Sequence, residues 1–177
     1  MARALFADDS NLSFINKFIT DLCNASNLPS DALNIDKLTY NHCPHKSQIL
    51  VLNKKRDDFN LQKALDAIVT GGVIVMNADE KHYAGLKLTK PMRLITYGYN
   101  PKSTITASSI VVLDNISVQC CIQRQFATLS GAVLEPQEFL VRTNYMELNE
   151  GDILASVAVA LLCGVKIHNI SPAYACN

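Results

Sequence analysis

Residues 138–170 read EFLVRTNYMELNEGDILASVAVALLCGVKIHNI, and this stretch decides the fold. From Gly151 to Gly164 it predicts a short helix in which almost every side chain is apolar. A helix that is apolar on all faces must be buried on all faces, so we expect it between other layers of a compact domain. Asp152 is placed to cap its start, and Gly164 can adopt a positive φ and end it. Asn149 adds a second polar side chain at the helix start, where unpaired N–H groups could meet a ligand.

Three continuous apolar runs precede this helix and predict buried strands at residues 48–52, 72–76 and 93–97. A helix is predicted over residues 60–69, ended by the pair Gly71-Gly72. Strand, helix and strand in this order predict a parallel unit with a right-handed crossover. We therefore expect the three strands to be parallel neighbours in one sheet, with the late helix packed against it.

The remaining elements complete an α/β domain. Residues 11–25 have the apolar spacing of an amphipathic helix, and residues 27–46, which include two prolines, are predicted to be mostly loop. After Gly98 the pattern becomes rich in β-branched residues and predicts antiparallel strands within 103–113, 117–126 and 139–143. The predicted fold is a three-layer α/β domain, with a largely parallel sheet flanked by helices and an antiparallel β extension. We expect residues 1–177 to form a single domain.

Composition restricts the classes of function. The 177 residues include 16 basic and 16 acidic side chains and no basic run, which argues against nucleic acid as a partner. No apolar stretch approaches the ~20 residues of a membrane span, and the N-terminus lacks the apolar region of a signal peptide. The six cysteines form no CxxC pair and are expected to be reduced. We expect a soluble, cytoplasmic protein that binds neither nucleic acid nor membrane.

Four segments, in order between residues 48 and 170, carry a resemblance to a known family. They are LNKKRDDFN at 52–60, VIVMNADE at 73–80, LITYGYNPKSTITASSI at 94–110 and LNEGDILASVAVALLCG at 148–164. Together they resemble the central domain of the Mur ligase family, the ATP-dependent amide ligases of peptidoglycan synthesis and relatives such as folylpolyglutamate synthase. The family counterparts are TN-x-x-x-DHLD, VVVNADD, a strand ending in YG, and HN-x-x-N before an apolar helix.

The resemblance implies a set of nucleotide-binding residues. Asn149 and Asp152 fall on the two asparagines of the HN-x-x-N element, the second of which contacts adenine in the family. Asn77 and Asp79 match the NADD segment and are further candidate cofactor-binding residues. An aspartate in place of the second asparagine can accept but not donate hydrogen bonds when ionised, which would weaken recognition of adenine. An ordinary helix cap before a core helix remains the alternative interpretation of the Asn149 segment.

The resemblance also implies candidates for catalysis and metal binding. Lys63 stands where many Mur ligases have a carbamylated lysine that helps to hold magnesium, so it is the catalytic candidate. Asp57 matches the first aspartate of DHLD, and Asp58 replaces the metal-binding histidine, so this pair is the candidate metal site. Paired aspartates are also common at turns and caps, and a lysine on an exposed helix face is ordinary, so the structural alternatives stay open.

Three departures put the family reaction in doubt. The chain has no G-x-x-x-x-G-K-[ST] loop, whose backbone N–H groups and lysine cradle phosphates. Its counterpart, FADDSNLS at 6–13, offers two carboxylates and no glycine, and would repel phosphate. The glutamate that binds the second metal has no counterpart, and we expect no C-terminal ligase domain after Asn177. The resemblance implies ATP and magnesium as cofactors, but no intact motif supports them.

Two hypotheses of function follow. In the first, the chain is a degenerate, non-catalytic Mur ligase-like domain that binds a nucleotide, a cell-wall precursor, a protein partner or a second copy of itself. In the second, it is part of an active ATP-dependent acid–amino-acid ligase that another chain or missing domains complete. The absent phosphate loop favours the first hypothesis.

Overall fold

The computed structural model describes residues 1–7, 11–29, 32–37, 46–54, 60–83 and 86–170. Its strands are β1 (Ala2–Phe6), β2 (Leu33–Lys37), β3 (Ser47–Leu52), β4 (Ile68–Asn77), β5 (Arg93–Tyr97), β6 (Ile105–Val112), β7 (Ile116–Ile122), β8 (Phe126–Ala127), β9 (Val133–Leu134) and β10 (Gln137–Thr143). Its helices are α1 (Leu12–Ala25), α2 (Leu61–Ala67), α3 (Glu150–Leu162) and α4 (Ile167–Ile170), with one 3-10 turn at Lys81–Tyr83.

Within the described residues, eight strands form one sheet in the order β10-β7-β6-β5-β4-β3-β1-β2. Every pair from β2 to β6 is parallel, while β7 pairs antiparallel with both β6 and β10. Strands β8 and β9 form a separate antiparallel ribbon. The three strands predicted from apolar runs are β3, β4 and β5, which are parallel neighbours, so that prediction is confirmed. The antiparallel extension is confirmed as well.

Both faces of the parallel sheet are covered by helices. Successive side chains of a strand point to opposite faces, and β3 shows the consequence. Ile49 and Val51 pack in the core with α1 and α3, whereas Leu50 and Leu52 pack in a second core with α2. The predicted arrangement of three layers, helices on either side of a largely parallel sheet, is therefore confirmed.

Helix α3 is the most buried element of the fold. Every residue from Asp152 to Leu162 is buried, and the helix packs against α1 and against β4, β5 and β6. Gly164, with φ +97°, follows its end as predicted. The predicted N-cap is wrong by three residues: Asn149 is the N-cap, and Asp152 is the third helical residue. The physical reason is a reciprocal capping box, in which each of the two side chains accepts the backbone N–H of the other.

Two features at the N-terminal side of the sheet differ from the sequence prediction. Strands β1 and β2 were not predicted, and β2 lies in the segment expected to be mostly loop. Its sequence LNIDK is half polar, because a strand at the edge of a sheet is only partly buried. The helix predicted over 60–69 ends at Ala67, since Ile68 already pairs with Ser47 of β3 and begins β4. Tertiary pairing has overridden local helix propensity here.

Candidate ligand-binding cleft

A cleft of about 500 Å³ opens where β3, β4 and β5 end, beside the start of α3. This volume lies in the range of small-molecule sites, and the carboxyl edge of a parallel sheet is where ligands bind in open α/β folds. The polar side chains that line it are Asn53, Lys54, Asn77, Asp79, Glu80, Tyr97, Tyr99, Asn149 and Glu150. The apolar side chains come from the β6–β7 hairpin, from the segment between β10 and α3, and from the start of α3: Ile110, Val112, Ile116, Met146, Leu148, Ile153 and Leu154.

A chain of buried hydrogen bonds lies beneath the cleft. The Tyr97 hydroxyl donates to Asn53 Oδ1 at 2.8 Å, and Asn53 Nδ2 donates to Asp152 Oδ1 at 2.7 Å. Asn11 Nδ2 donates to Asp152 Oδ2 at 2.7 Å, and the Asn149 N–H donates to the same oxygen at 3.2 Å. The Asp152 side chain is 0 % exposed and does not line the cleft. Both its oxygens therefore join the ends of β3 and β5 to the starts of α1 and α3.

The start of α3 approaches these amide side chains closely. Asn149 Oδ1 accepts the Asp152 N–H at 3.0 Å, and the Asn149 side chain itself lines the cleft. A Cβ atom on Gly151 would lie 3.1 Å from Asn53 Oδ1 and 3.2 Å from Asn149 Oδ1. A residue with a side chain at position 151 would thus press on both amides, so the glycine keeps the mouth of the helix open.

A second polar group holds the loop after β5. Asp79 Oδ2 accepts the Tyr99 N–H at 2.7 Å, and Asp79 Oδ1 accepts the Asn100 N–H at 2.8 Å. Asn77 Oδ1 in turn accepts the Asp79 N–H at 3.0 Å. Gly98 has φ +127°, and a Cβ there would lie 2.4 Å from Asp79 Oδ2. Asp79 is therefore a loop-fixing residue, and this geometry requires glycine at position 98.

Among the residues that the structure describes, carboxylates predominate over cations in the lining of the cleft. Among the described residues that line it, three carboxylates, those of Asp79, Glu80 and Glu150, face one ammonium group, that of Lys54. Tyr99 donates its hydroxyl to Glu150 Oε2 at 2.7 Å. Burial, together with this hydrogen bond and the charge of Glu150, raises the pKa of Tyr99 above its usual range. The tyrosine hydroxyl thus remains a donor that orients the Glu150 carboxylate.

The predicted site residues separate into three groups. Asn77, Asp79 and Asn149 line one cleft, and Asp152 lies directly beneath it. Lys63 lies on the exposed face of α2 and does not line the cleft. The predicted metal ligands Asp57 and Asp58 lie outside the described residues. The roles of these residues in cofactor binding and catalysis stay predictions.

Sequence reasoning did not assign a site role to Asn53, Tyr97 or Glu150. A signal for Asn53 is present, because it follows the apolar run at 48–52 directly, as Asn77 follows the run at 72–76. Parallel strands end at one edge, so polar residues at these two positions must meet. Tyr97 gives no such signal. An aromatic residue in an apolar run that predicts a strand indicates a side chain in the hydrophobic core, not a donor of a hydrogen bond to a polar network.

No model of a known protein family matches the sequence, and no curated protein matches it. The structure is similar to MurF from Acinetobacter baumannii, with a TM-score of 0.65 and 14% sequence identity over 96% of this chain and 44% of that chain. It is also similar to the UDP-N-acetylmuramoylalanyl-D-glutamyl-2,6-diaminopimelate–D-alanyl-D-alanyl ligase from the same organism, with a TM-score of 0.67 and 13% identity over the same shares. The chain has a Mur ligase-like fold.

The Mur ligase-like chain spans less than half the length of these two proteins. The triphosphate of ATP, which the family resemblance implies, does not fit the charge of the described lining of the cleft. A triphosphate needs converging N–H donors and cations, whereas three carboxylates and one lysine converge here. Among the described residues, no three His, Cys, Asp or Glu side chains are grouped to hold a metal ion. None of the described helices combines the length and apolar character that crossing a membrane requires.

Proposed function

We propose that this Mur ligase-like domain is a binding domain that does not catalyse ATP-dependent amide ligation. The observation that carries the proposal is the charge of the described lining of the cleft, in which the side chains of Asp79, Glu80 and Glu150 outnumber that of Lys54. A cleft of this charge repels a nucleoside triphosphate, and phosphoryl-transfer catalysis depends on donors and cations preorganised around the phosphates. The cleft instead accepts a ligand with an apolar part and no net negative charge.

The hydrogen bonds of Asp79 and Asp152 support a role for these two carboxylates in shaping the cleft. Both oxygens of Asp79 accept hydrogen bonds from backbone N–H groups of the same domain. Both oxygens of Asp152 accept hydrogen bonds, from Asn11, Asn53 and Asn149. Carboxylates engaged in this way fix loops and helix starts. The arrangement gives a rigid cleft, which lowers the entropy cost of binding a partner.

Steady-state phosphate release tests this proposal. The chain is incubated with ATP and magnesium, with and without a muramyl-peptide substrate, beside the Lys63→Ala variant and a buffer blank. We expect release at the rate of the blank in every sample. Release above the blank that is lost in Lys63→Ala would show that the domain is a catalyst and that Lys63 takes part.

Nucleotide titration followed by backbone amide chemical shifts gives a second readout. We expect ATP, ADP and adenosine to bind with millimolar affinity or not at all. Micromolar binding of ATP with shifts centred on Asn149 would contradict the proposal.

The second hypothesis is that the chain is a domain of an active amide ligase. The similarity to two ligases over 96% of this chain makes that hypothesis worth testing. If another chain completes the site, a neighbouring reading frame should encode the missing GTNGKT loop. Co-expression with that chain should then give phosphate release that depends on both proteins. No gain over the single chain in the phosphate assay would reject this alternative.

A further inference from the structure

The carboxylates of the cleft differ in how far their oxygens are already engaged. Asp79 accepts two backbone N–H groups, and Glu150 accepts the Tyr99 hydroxyl through Oε2 only. Glu80 lines the cleft half-buried, and within the described part of the chain no hydrogen bond or ion pair engages its carboxylate. Glu80 and Glu150 therefore present carboxylate oxygens to whatever enters. An ammonium or guanidinium group is the complement of such a pair.

The opposite wall of the cleft is apolar and leaves large side chains exposed at the rim. Tyr99, Val112 and Met146 all line the cleft, and they are 52 %, 56 % and 47 % exposed, respectively. Large side chains that are half exposed around one concave surface mark an interaction site. The Tyr99 ring adds a π face next to the carboxylates, and this face favours an organic cation over a metal ion. The occupant should thus carry a cation on an aliphatic stem.

The exposed apolar surface continues past the rim of the cleft. At the end of the β6–β7 hairpin, Leu113 follows Val112 of the rim directly and is 78 % exposed. A small ligand held in the cleft would leave Leu113 in water, whereas a peptide chain running out of the cleft would cover it. The extent of the patch favours a segment of a protein partner.

We propose that the cleft binds a partner-protein segment in which a lysine or arginine is flanked by aliphatic residues. The basic side chain enters between Glu80, Glu150 and the Tyr99 ring, and the aliphatic residues cover Val112, Met146 and the hairpin end. This inference rests on the proposed function, because an ATP-loaded active site would exclude such a segment. The inference adds to the proposed function the kind of side chains that the partner segment carries.

Selection from a random dodecapeptide library displayed on phage, followed by titration of synthetic peptides, tests the proposal. We expect the recovered peptides to share a lysine or arginine next to aliphatic residues. Glu80→Gln and Val112→Ser should each weaken binding of these peptides by roughly fivefold to tenfold. The matched controls Glu135→Gln and Val133→Ser alter an exposed carboxylate and an equally exposed valine that do not line the cleft, and should change affinity less than about twofold. Amide spectra of all four variants verify that the fold is intact.

Three outcomes would overturn the inference. The first is recovery of no peptide, or of peptides without a basic residue. The second is equal binding to the wild type and Glu80→Gln. The third is full competition by lysinamide or by magnesium ions at the concentration of the peptide, which would make the cleft a site for a small amine or a metal. Each is distinguishable from failure of the proposed function, which is decided by phosphate release and by the nucleotide titration.

Discussion

At the scale of single residues, the carboxylate of Asp152 connects three segments that are far apart in the chain or start separate elements. It accepts hydrogen bonds from Asn11 at the start of α1, from Asn53 after β3 and from the N-cap of α3. Because it is 0 % exposed, no water can replace a lost partner. Removing one partner from such a buried network leaves an unsatisfied polar group, which costs more than the bond itself contributes.

We predict that Asp152→Asn destabilises the protein by about 2–3 kcal/mol. The new amide NH2 group would face one of the donors of Asn11 or Asn53, so two donors would oppose each other in a buried site. Urea denaturation measures the change in the free energy of unfolding. Asp66→Asn, at an exposed carboxylate on α2 that accepts a hydrogen bond from Gln62, should stay within about 0.5 kcal/mol of wild type. An equal effect of the two substitutions would refute the structural role of Asp152.

Gly98 offers a prediction about a close contact rather than a hydrogen bond. Gly98→Ala places a Cβ 2.4 Å from Asp79 Oδ2 and must displace a carboxylate that holds the Tyr99 and Asn100 amides. Gly131→Ala has a similar positive φ, at +90°, but meets no atom within 4 Å. We expect a loss of about 1 kcal/mol for Gly131→Ala from backbone strain, and at least twice that for Gly98→Ala. Equal losses in urea denaturation would mean that Asp79 moves aside without cost.

At the scale of elements, α3 combines an apolar body with a polar start. Its buried residues fill the space between α1 and the sheet, so the helix has no free face along which it could shift. Its first turn is held by the reciprocal bonds of Asn149 and Asp152. The same turn forms one side of the cleft, so the stability of the helix start and the shape of the cleft depend on one pair of side chains.

We predict that Asn149→Ala costs about 1 kcal/mol and speeds hydrogen exchange in the first turn of α3. The substitution removes the acceptor of the Asp152 N–H, whereas Asn149→Ser can restore it. Asn144→Ala, at an exposed residue outside the capping box, serves as the control and should have little effect. Unchanged exchange rates in Asn149→Ala would show that the buried carboxylate holds the helix start without the cap.

At the scale of the whole molecule, the core that contains α1 and α3 gives the protein a characteristic response to alkali. Burial, and to a lesser degree a neighbouring cysteine, raises the pKa of Cys120 in β7 and of Cys163 at the end of α3 from 9.0 to about 12. At a pH between 9.0 and about 12, the two thiols lose their protons in the unfolded chain and keep them in the folded chain. Folding then binds protons, so stability falls as the pH rises.

We predict that the contribution of these two thiols to the free energy of unfolding does not change with pH below pH 9. Between pH 9 and about 12, this contribution falls. Each thiol contributes a slope of at most about 1.4 kcal/mol per pH unit. Urea denaturation at pH 8, 9, 10 and 11 under reducing conditions measures the slope. The double variant Cys120→Ala/Cys163→Ala should start from a lower stability, because it leaves small cavities, but lose less of it with pH. Parallel curves for the variant and the wild type would assign the alkaline loss to other groups.

Much of this fold could be predicted from the sequence. Continuous apolar runs placed β3, β4 and β5, because a strand covered on both faces has no polar alternation. The all-apolar segment placed α3 for the same reason. The chain positions of Asn77 and Asn149, after a strand and at a helix start, brought both to the cleft. Local pattern could not place β2, because an edge strand is half polar, nor the end of α2, because pairing with β3 decided it.

The sequence by itself determined a parallel sheet with helices on both faces, because burial dictates which residues are apolar and in what period. Only the tertiary structure decided what Asp152 does. Its partners Asn11 and Asn53 lie 141 and 99 residues earlier in the chain, so no local pattern connects them to it. The excess of carboxylates in the described lining of the cleft is decided in the same way, since the adjacent Asp79 and Glu80 and the distant Glu150 come from two separate segments of a chain whose net charge is zero. Charges and hydrogen bonds act through space, and the fold alone sets those distances.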